Sequence, residues 1–300
     1  MSLNLDRFKG CLLGLACGDS VGTTLEFKKR GTFEPITDMV GGGPFGLEPG
    51  QWTDDTSMAL CLAESLIERQ KFDAVDQMQR YCDWMNKGHL SSNGKCFDIG
   101  VTVSRALRDF EYTGEAYSGS DNPYSAGNGA LMRLAPVPMC FCNDLDDVIH
   151  YSELSSKTTH GADECLEAAK LFGAQLYQAL HGESKEAILK ASGYIPQAEK
   201  VVDLATASFI NKDYEVLTGS GYVIESLESA LWCFYHSDNY RDAILLSANI
   251  GNDADTTAAI CGQIAGAYYG FEGIPVEWRG LLAMGDAIEV MAVKLFEFEP

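Results

Sequence analysis

The sequence predicts an all-α protein, and three observations predict this fold class. Apolar residues recur at steps of three and four positions along most of the chain, as they do on one face of an α-helix. Alternating strand patterns are scarce, and short apolar runs such as 136–139 cannot support a sheet. No internal repeat or linker divides the chain, because helical patterning resumes on both sides of every loop. We therefore expect a single compact multi-helix domain over residues 1–300.

The predicted helices follow one another along the whole chain. The apolar face of the first consists of Phe8, Leu12, Leu15 and Ala16. Helical spacing then marks the stretches 58–66, 75–85, 146–154, 165–180, 185–191, 197–207, 223–235, 240–248, 255–269 and 281–296. Three glycine-rich loops interrupt this pattern, at 40–50, 118–129 and 218–222. Loops of this length inside a compact chain are usually functional, so we expect them near a site.

The chain is strongly acidic. Its 300 residues include 22 basic and 43 acidic ones, which gives a formal net charge of −21. A hydrophobic content of 46% is that of an ordinary globular protein, so intrinsic disorder, collagen and coiled coil are excluded. The acidic excess argues against binding nucleic acid through its phosphates and against docking on an anionic membrane. An anionic small ligand could bind only where metal ions or helix N-termini supply local positive charge.

The cysteine pattern and the lack of long apolar runs bear on the compartment. Ten cysteines occur without any C-x-x-C pair, which is typical of buried free thiols in a reducing environment. No segment approaches the roughly 18 consecutive apolar residues that a membrane span needs. The apolar run at 11–17 is too short and wrongly flanked for a signal peptide. These observations predict a cytoplasmic protein.

Two acidic clusters carry the strongest chemical signal. One is Trp-Thr-Asp-Asp-Thr at 52–56, and the other is Gly-Asn-Asp-Ala-Asp-Thr-Thr at 251–257. Each directly precedes an apolar helix, so helix capping alone could explain either cluster. A cap, however, needs one oxygen, whereas these clusters hold several carboxylates and hydroxyls each. Two such clusters in one chain favour a further role.

The same residues suit a metal site if the two clusters fold together. Two carboxylates about 4 Å apart repel by roughly 4 kcal/mol at an effective dielectric constant of about 20, and bound cations would relieve that repulsion. Carboxylates and threonine hydroxyls favour Mg²⁺, Mn²⁺ or Ca²⁺ over Zn²⁺ or copper. An EF-hand is excluded, because the positions that require Gly and Glu are Ala258 and Ile264.

Three further segments carry weaker signals. The stretch 41–46 fits G-x-G-x-x-G but follows no strand, so it predicts a tightly turning loop rather than a dinucleotide site. Residues 125–133 are predicted to open a helix whose backbone amides could approach a phosphate or ribose, although an ordinary turn is the simpler alternative. His160 lies before a predicted helix, where a neutral imidazole could bind a ligand, and the other four histidines are interpreted as structural.

Several motifs in a fixed order now make the sequence recognisable. They are 14–22, 26–27, 50–56, 97–100, 127–133, 159–160, 251–257 and 265–270. Together they resemble the ADP-ribosylglycohydrolase family, which includes the dinitrogenase-reductase-activating glycohydrolase. The resemblance covers nearly the whole chain and implies an all-α fold with a binuclear metal centre, Mg²⁺ or Mn²⁺, in a cleft.

The resemblance also implies roles for individual residues. The implied metal ligands are Thr53, Asp54, Asp55, Asp253, Asp255 and Thr256, with Asp255 bridging both ions. The implied catalytic residues are Glu26, Asp98 and Asp255. The implied substrate contacts are Asp98, Gly100, Gly127, Asn128, Gly129, His160 and Tyr222.

The activity that the resemblance implies is hydrolysis of the bond at C1″ of the distal ribose. The substrates would be ADP-ribosylated protein side chains, such as ADP-ribosyl-arginine, or small ADP-ribose conjugates, and the product would be ADP-ribose. Two ions can orient the ribose hydroxyls and hold a water, while Glu26 or Asp98 handles protons.

Three alternatives remain open at this point. They are a catalytically idle ADP-ribose-binding member, a metal-dependent phosphohydrolase, and an interaction protein whose acidic clusters are only caps. Within the enzyme hypothesis, the loops 90–95, 112–124 and 211–222 are expected to form the cleft rim and select the linkage that is cleaved.

Overall fold

The computed structural model describes residues 3–191 and 193–298, which are mainly α-helical. The helices are α1 (Leu5–Gly22), α2 (Asp54–Arg69), α3 (Ala74–Lys87), α4 (Val101–Thr113), α5 (Pro136–Cys140), α6 (Leu145–Lys157), α7 (Asp163–Leu180), α8 (Lys185–Lys190), α9 (Glu199–Ala205), α10 (Val223–Tyr235), α11 (Tyr240–Ala248), α12 (Ala254–Tyr269), α13 (Val276–Leu281) and α14 (Gly285–Phe296). Extended structure within the described ranges is limited to isolated β-bridges. The predicted all-α fold is therefore confirmed.

Three helix predictions differ from the structure. Helix α4 was not predicted, although its buried residues Val103, Ala106, Leu107 and Phe110 have helical spacing. The predicted helix at 125–133 is instead a series of turns, and the helix begins only at Pro136, whose fixed φ suits a first helical position. The predicted helix at 281–296 is divided, since α13 ends at Leu281 and α14 begins at Gly285.

Helices α1 and α12 form the centre of the molecule and pack antiparallel with their backbones in contact. Gly10 and Gly14 of α1 face Gly266 and Gly262 of α12. A Cβ atom at Gly266 would lie 1.9 Å from the carbonyl oxygen of Gly10, and one at Gly14 would lie 2.4 Å from that of Gly262. Only glycine permits such a close approach. This packing brings the C-terminal end of α1 against the N-terminal end of α12.

The N-terminus of α2 is held by a side chain of α1. Asp19, which is fully buried, accepts hydrogen bonds from the backbone N–H groups of Thr53 and Thr56. It therefore satisfies two of the N–H groups that a helix start leaves without an intrahelical partner. The starts of α2 and α12 are thus both placed beside the end of α1.

Two other expectations from the sequence can be compared with the fold. All ten cysteines are free, and all except the half-buried Cys96 are buried. In the described residues, no helix combines the length and the apolar character that crossing a bilayer would require.

Candidate active site

The two acidic helix starts meet in space. The hydroxyl oxygen of Thr53, at the start of α2, lies 3.3 Å from Oδ2 of Asp55 and 3.3 Å from Oδ2 of Asp255. Oxygens of Glu26, Asp253 and Asp255 all lie within 4.8 Å of one another. Segments about 200 residues apart therefore contribute to one cluster of carboxylates, as the metal hypothesis requires.

A cavity of about 570 Å³ opens over this cluster. Its lining includes these residues to which the sequence assigned a role: Glu26, Asp54, Asp98, Gly100, Gly127, Asn128, Gly129, His160, Asp253, Asp255 and Thr256. Thr53 and Asp55 lie beneath the cavity floor and are almost completely buried. The carboxylates therefore form one end of a cleft large enough for a nucleotide-sized ligand.

Tyr222 lies outside this cavity, in an adjoining depression that shares Gly127 and Gly221 with it. Its hydroxyl donates a hydrogen bond to Glu164 at 2.5 Å and accepts one from Lys200 at 2.7 Å. Of the loops expected at the rim, residues 219–221 line the cavity, whereas the loops 90–95 and 112–124 contribute no residue to its lining.

Burial and mutual repulsion raise the pKa values of the clustered carboxyl groups. Burial is the main cause for Glu26, whose pKa rises to about 8, and for Asp98, whose pKa rises to about 6. The pKa of Asp54 is well above its ordinary value, mainly because of burial and then because of the charge of Asp55. The pKa of Asp255 is also well above its ordinary value, because of burial and then the charge of Glu26. No Lys or Arg lines the cavity within the described ranges, so no cationic side chain in the lining balances the charge of these carboxylates.

The cluster fits a hard divalent cation. Oδ1 of Asp55 is buried without a hydrogen-bond partner in the described chain, which is costly for an anionic oxygen unless a cation satisfies it. The surrounding donors are carboxylate and hydroxyl oxygens, and this set suits Mg²⁺, Mn²⁺ or Ca²⁺. The acidic cluster can therefore hold metal.

Asp19 belongs to the site although sequence reasoning gave it no role. Its Oδ1 accepts hydrogen bonds from the backbone N–H and the hydroxyl of Thr53, both at 2.9 Å. Its Oδ2 accepts from the N–H of Thr56 at 3.0 Å and from the hydroxyl at 2.6 Å. The available signal was a carboxylate in the apolar second half of α1, where an unpaired charge is rarely tolerated.

Two segments place Glu26 and Asp98 beside Asp255. Glu26 accepts a hydrogen bond from the backbone N–H of Ala254 at 2.8 Å, so its carboxylate lies at the positive end of α12. Asp98 has a φ of +60°, a strained conformation for a non-glycine residue that is common at functional sites. Both side chains lie within hydrogen-bonding reach of the Asp255 carboxyl group.

Three phenylalanines form an aromatic rim next to the carboxylates, and sequence reasoning did not identify it. The ring centres of Phe27 and Phe45 lie 6.2 Å apart, and those of Phe45 and Phe97 lie 5.3 Å apart. Phe27 is 68% exposed and lines the cavity. These residues come from three separate loops, so their proximity follows from the fold and not from a local pattern.

Comparisons with known proteins identify the family to which the chain is similar. The family model described as ADP-ribosylglycohydrolase matches residues 1–299. A protein of Pseudomonas putida (strain GB-1) named ADP-ribosylarginine hydrolase Tri1 is 43% identical over 99% of this chain and 79% of its own length. The protein of the same name from Serratia proteamaculans (strain 568) is 42% identical over 100% of this chain and 81% of its own length.

A solved structure is similar over the same extent. It is titled ADP-ribosylglycohydrolase-related protein complex, is 38% identical in sequence, and superposes with a TM-score of 0.87 over 98% of both chains. Because the family model spans the chain and the relatives are similar over nearly its full length, the chain belongs to the ADP-ribosylglycohydrolase family and is a hydrolase of ADP-ribosyl bonds.

Proposed function

We propose that this hydrolase cleaves the bond between arginine and C1″ of the distal ribose in ADP-ribosyl-arginine, and that it uses two divalent cations, Mg²⁺ or Mn²⁺. The observation that carries the proposal is the convergence of Glu26, Asp253 and Asp255 at one end of the cleft, with the unpartnered Oδ1 of Asp55 buried beneath the cavity floor. Such a group of buried carboxylates is unfavourable in the absence of cations.

The proposed ligands come from both helix starts. They are Thr53, Asp54 and Asp55 from α2, and Asp253, Asp255 and Thr256 from α12. Asp255 is the proposed shared ligand, a role supported by its central position between Glu26, Asp98 and the Thr53 hydroxyl. When bound, the cations supply positive charge that can orient the ribose hydroxyls and hold a water.

Glu26 is the proposed proton-handling residue. Its carboxylate lines the cavity beside Asp255 and is oriented by the backbone N–H of Ala254, so it can exchange a proton with a ligand in the cleft. Asp98 is the proposed contact to the distal ribose, because it lines the cavity beside Asp255. Asn128 donates to Oδ2 of Asp253 at 2.8 Å and thereby orients a proposed ligand.

Two observations support arginine as the amino acid released. The relatives described above are named ADP-ribosylarginine hydrolases. In addition, the aromatic rim of Phe27, Phe45 and Phe97 lies beside carboxylates, which suits the planar cation of a guanidinium group. The proposed partners are ADP-ribosylated proteins, and not nucleic acid or membranes. The proposed compartment is the cytoplasm, which the free buried thiols support.

A panel of conjugates tests the proposal. Purified protein is incubated with ADP-ribosyl-arginine, ADP-ribosyl-serine and O-acetyl-ADP-ribose, each with Mg²⁺, with Mn²⁺ and with chelator, and released ADP-ribose is quantified. We expect turnover of the arginine conjugate with either cation and none with chelator. Preference for another conjugate would contradict the arginine assignment. Phosphate release would favour a phosphohydrolase, and binding of ADP-ribose without turnover would favour an idle member.

A further inference from the structure

A buried arginine lies behind the cleft without an acidic partner. Arg133 is fully buried, and no carboxylate forms an ion pair with it in the part of the chain that the structure describes. Its Nη1 donates to the carbonyl oxygen of Gly129 at 2.7 Å, and its guanidinium lies 4.8 Å from the ring centre of Tyr81. A buried charge without a counter-ion is expensive, so its retention calls for a role.

Arg133 is connected to His160 through the hydroxyl group of Thr159. Nη2 of Arg133 donates to Oγ1 of Thr159 at 2.7 Å, and the same oxygen lies 2.9 Å from Nδ1 of His160. Thr159 is fully buried, and these two contacts are the hydrogen bonds that its hydroxyl makes within the described residues. Three polar groups from two segments therefore form a chain that ends at the imidazole.

The direction of the hydrogen bonds in this chain follows from the chemistry of its members. A guanidinium can only donate, so the Thr159 oxygen accepts from Arg133. The single hydroxyl proton of Thr159 then needs an acceptor, and within the described residues Nδ1 of His160 is the group within reach. If Nδ1 instead carried a proton, the buried hydroxyl would be left without an acceptor. Nδ1 is therefore the acceptor, and the ring proton is on Nε2.

Nε2 of His160 faces the ligand cavity. His160 is part of the cavity lining, and a Cβ atom at Gly129 would lie 3.1 Å from Nε2. No protein group in the described ranges hydrogen-bonds to Nε2. Burial, and after it the charge of Arg133, lowers the pKa of His160 to about 3, so the ring is neutral at physiological pH. The two glycines at 127 and 129 let the backbone pass close to the ring, since a Cβ atom at Gly129 would lie only 2.7 Å from Cε1 of His160.

We propose that Arg133 and Thr159 are positioning residues that hold His160 as a neutral Nε2–H donor to an oxygen of bound ADP-ribose. The proposal rests on the proposed function, because it takes ADP-ribose as the ligand of the cleft. It also accounts for how an acidic cleft without lining Lys or Arg receives an anionic nucleotide. The fixed donor faces the ligand, and the buried positive charge lies directly behind it.

The first test reads the tautomer directly in the unmodified protein. Full-length protein with ¹⁵N-labelled histidine and saturating Mg²⁺ is studied by NMR, and the His160 signals are assigned by their loss in His160→Gln. We expect a protonated Nε2 and an unprotonated Nδ1 between about pH 6 and 8, with the Nε2 signal shifting when ADP-ribose is added. A protonated Nδ1, an imidazolium, or an Nε2 signal that does not respond to bound ADP-ribose would overturn the proposal.

The second test compares threonine variants. Thr159→Val removes the hydroxyl, Thr159→Ser retains it, and Thr158→Val removes a neighbouring buried hydroxyl that contacts Arg133 but not His160. We expect Thr159→Val to lose the Nε2–H tautomer and to raise the Kd for ADP-ribose and the KM about tenfold, with a smaller change in kcat. Thr159→Ser and Thr158→Val should keep the tautomer. The proposal would be overturned if Thr159→Val and Thr159→Ser had the same His160 tautomer and the same affinity for ADP-ribose.

Failure of the two proposals can be told apart. If the wild-type protein does not bind ADP-ribose at all, both the proposed function and this inference are wrong. If it binds ADP-ribose with His160 in the other tautomer, only this inference is wrong. A merely structural role of Thr159 would reduce the folded fraction and hence kcat without moving KM or the tautomer, so thermal unfolding of each variant is measured alongside.

Discussion

Asp19 and Thr53 join the end of α1 to the start of α2. The backbone N–H and the hydroxyl of Thr53 both donate to one oxygen of Asp19, each at 2.9 Å. Because the Thr53 hydroxyl also lies 3.3 Å from Oδ2 of Asp255, this contact sets the distance between the two acidic helix starts. Asp19 thus shapes the candidate metal centre without lining the cavity.

Replacing Asp19 with Asn tests this positioning role. Asn offers one acceptor oxygen in place of two. The N–H and hydroxyl groups of one of the two threonines, Thr53 or Thr56, therefore lose their partner. We expect the free energy of unfolding to fall by about 1–3 kcal/mol and the affinity for Mn²⁺ to fall about tenfold or more. Urea unfolding and calorimetry with Mn²⁺ measure the two effects. Asp109→Asn, on the exposed side of α4, is the control and should change neither.

Replacing Asp255 with Asn tests the metal centre itself. The variant removes one negative charge from the cluster while keeping the side-chain volume. We expect turnover to fall by more than about a hundredfold, since even changes to outer-shell partners of a metal cost about 10- to 100-fold. The cation-free variant should melt at a higher temperature than the cation-free wild type, because burial and the charge of Glu26 raise the pKa of Asp255 well above its ordinary value.

Chelation provides the matching measurement on the wild type. Chelator-treated protein should release no ADP-ribose, and added Mg²⁺ or Mn²⁺ should restore release. Full turnover by either the chelated wild type or Asp255→Asn would show that these carboxylates serve only as helix caps.

The stabilisation by divalent cation should depend on pH. In the cation-free protein, burial raises the pKa of Glu26 from 4.5 to about 8 and that of Asp98 from 3.8 to about 6. The folded state therefore binds protons more tightly than the unfolded chain, and its stability falls as the pH rises from about 4 to about 8. A bound cation balances the negative charge of the ionised carboxylates, so the folded protein no longer loses stability as the pH rises. The increase in Tm on adding Mg²⁺ should thus be small near about pH 5 and larger near about pH 8.

The control for this measurement is KCl at matched ionic strength, which should not reproduce the increase because screening acts mainly on exposed charges. An increase in Tm that shrinks as the pH rises would contradict the assignment of these carboxyl groups to the cation site.

The close contact of α1 and α12 should be intolerant of a single methyl group. In Gly266→Ala, the new Cβ would lie 1.9 Å from the carbonyl oxygen of Gly10, so the two helices must separate. We expect the free energy of unfolding to fall by about 1–3 kcal/mol, measured by urea unfolding. Gly280→Ala on α13 is the matched control, since its Cβ meets no atom within 4 Å, and it should be neutral or stabilising by up to about 1 kcal/mol. Equal effects of the two substitutions would be inconsistent with this packing.

The aromatic rim should contribute more to the binding of ADP-ribosyl-arginine than to the binding of ADP-ribose alone. Phe27 is 68% exposed, so Phe27→Ala is expected to fold normally. Loss of a ring that faces a guanidinium should raise the KM for ADP-ribosyl-arginine about fivefold, with little change in the affinity for ADP-ribose. Tyr112→Ala, at a 91% exposed position that does not line the cavity, is the control. An unchanged KM would exclude the rim from recognition of arginine.

Local patterns in the sequence were sufficient to predict most of the helices and the chemistry of the two acidic clusters. The apolar spacing of α7 and α12, and the Asp and Thr residues before α2 and α12, are short-range features that periodicity and capping rules describe. The incorrect helix predictions also concern local features. Helix α4 has the correct spacing but a β-branched start, and the turns at 125–133 follow from glycines whose backbone no pattern restricts.

The site itself was decided by tertiary structure, because contacts between distant residues depend on packing that no short window contains. Sequence alone identified Asp55 and Asp255 as candidate ligands and named the family. The two helix starts come together only because α12 packs closely against α1 and because Asp19 of α1 holds the start of α2. The contact between α1 and α2 gives Asp19 its four donors, while the fold buries Arg133 behind His160 and places Tyr222 outside the cavity. Hydrophobic periodicity specifies which face of a helix is buried, and not which carboxylate lies opposite it.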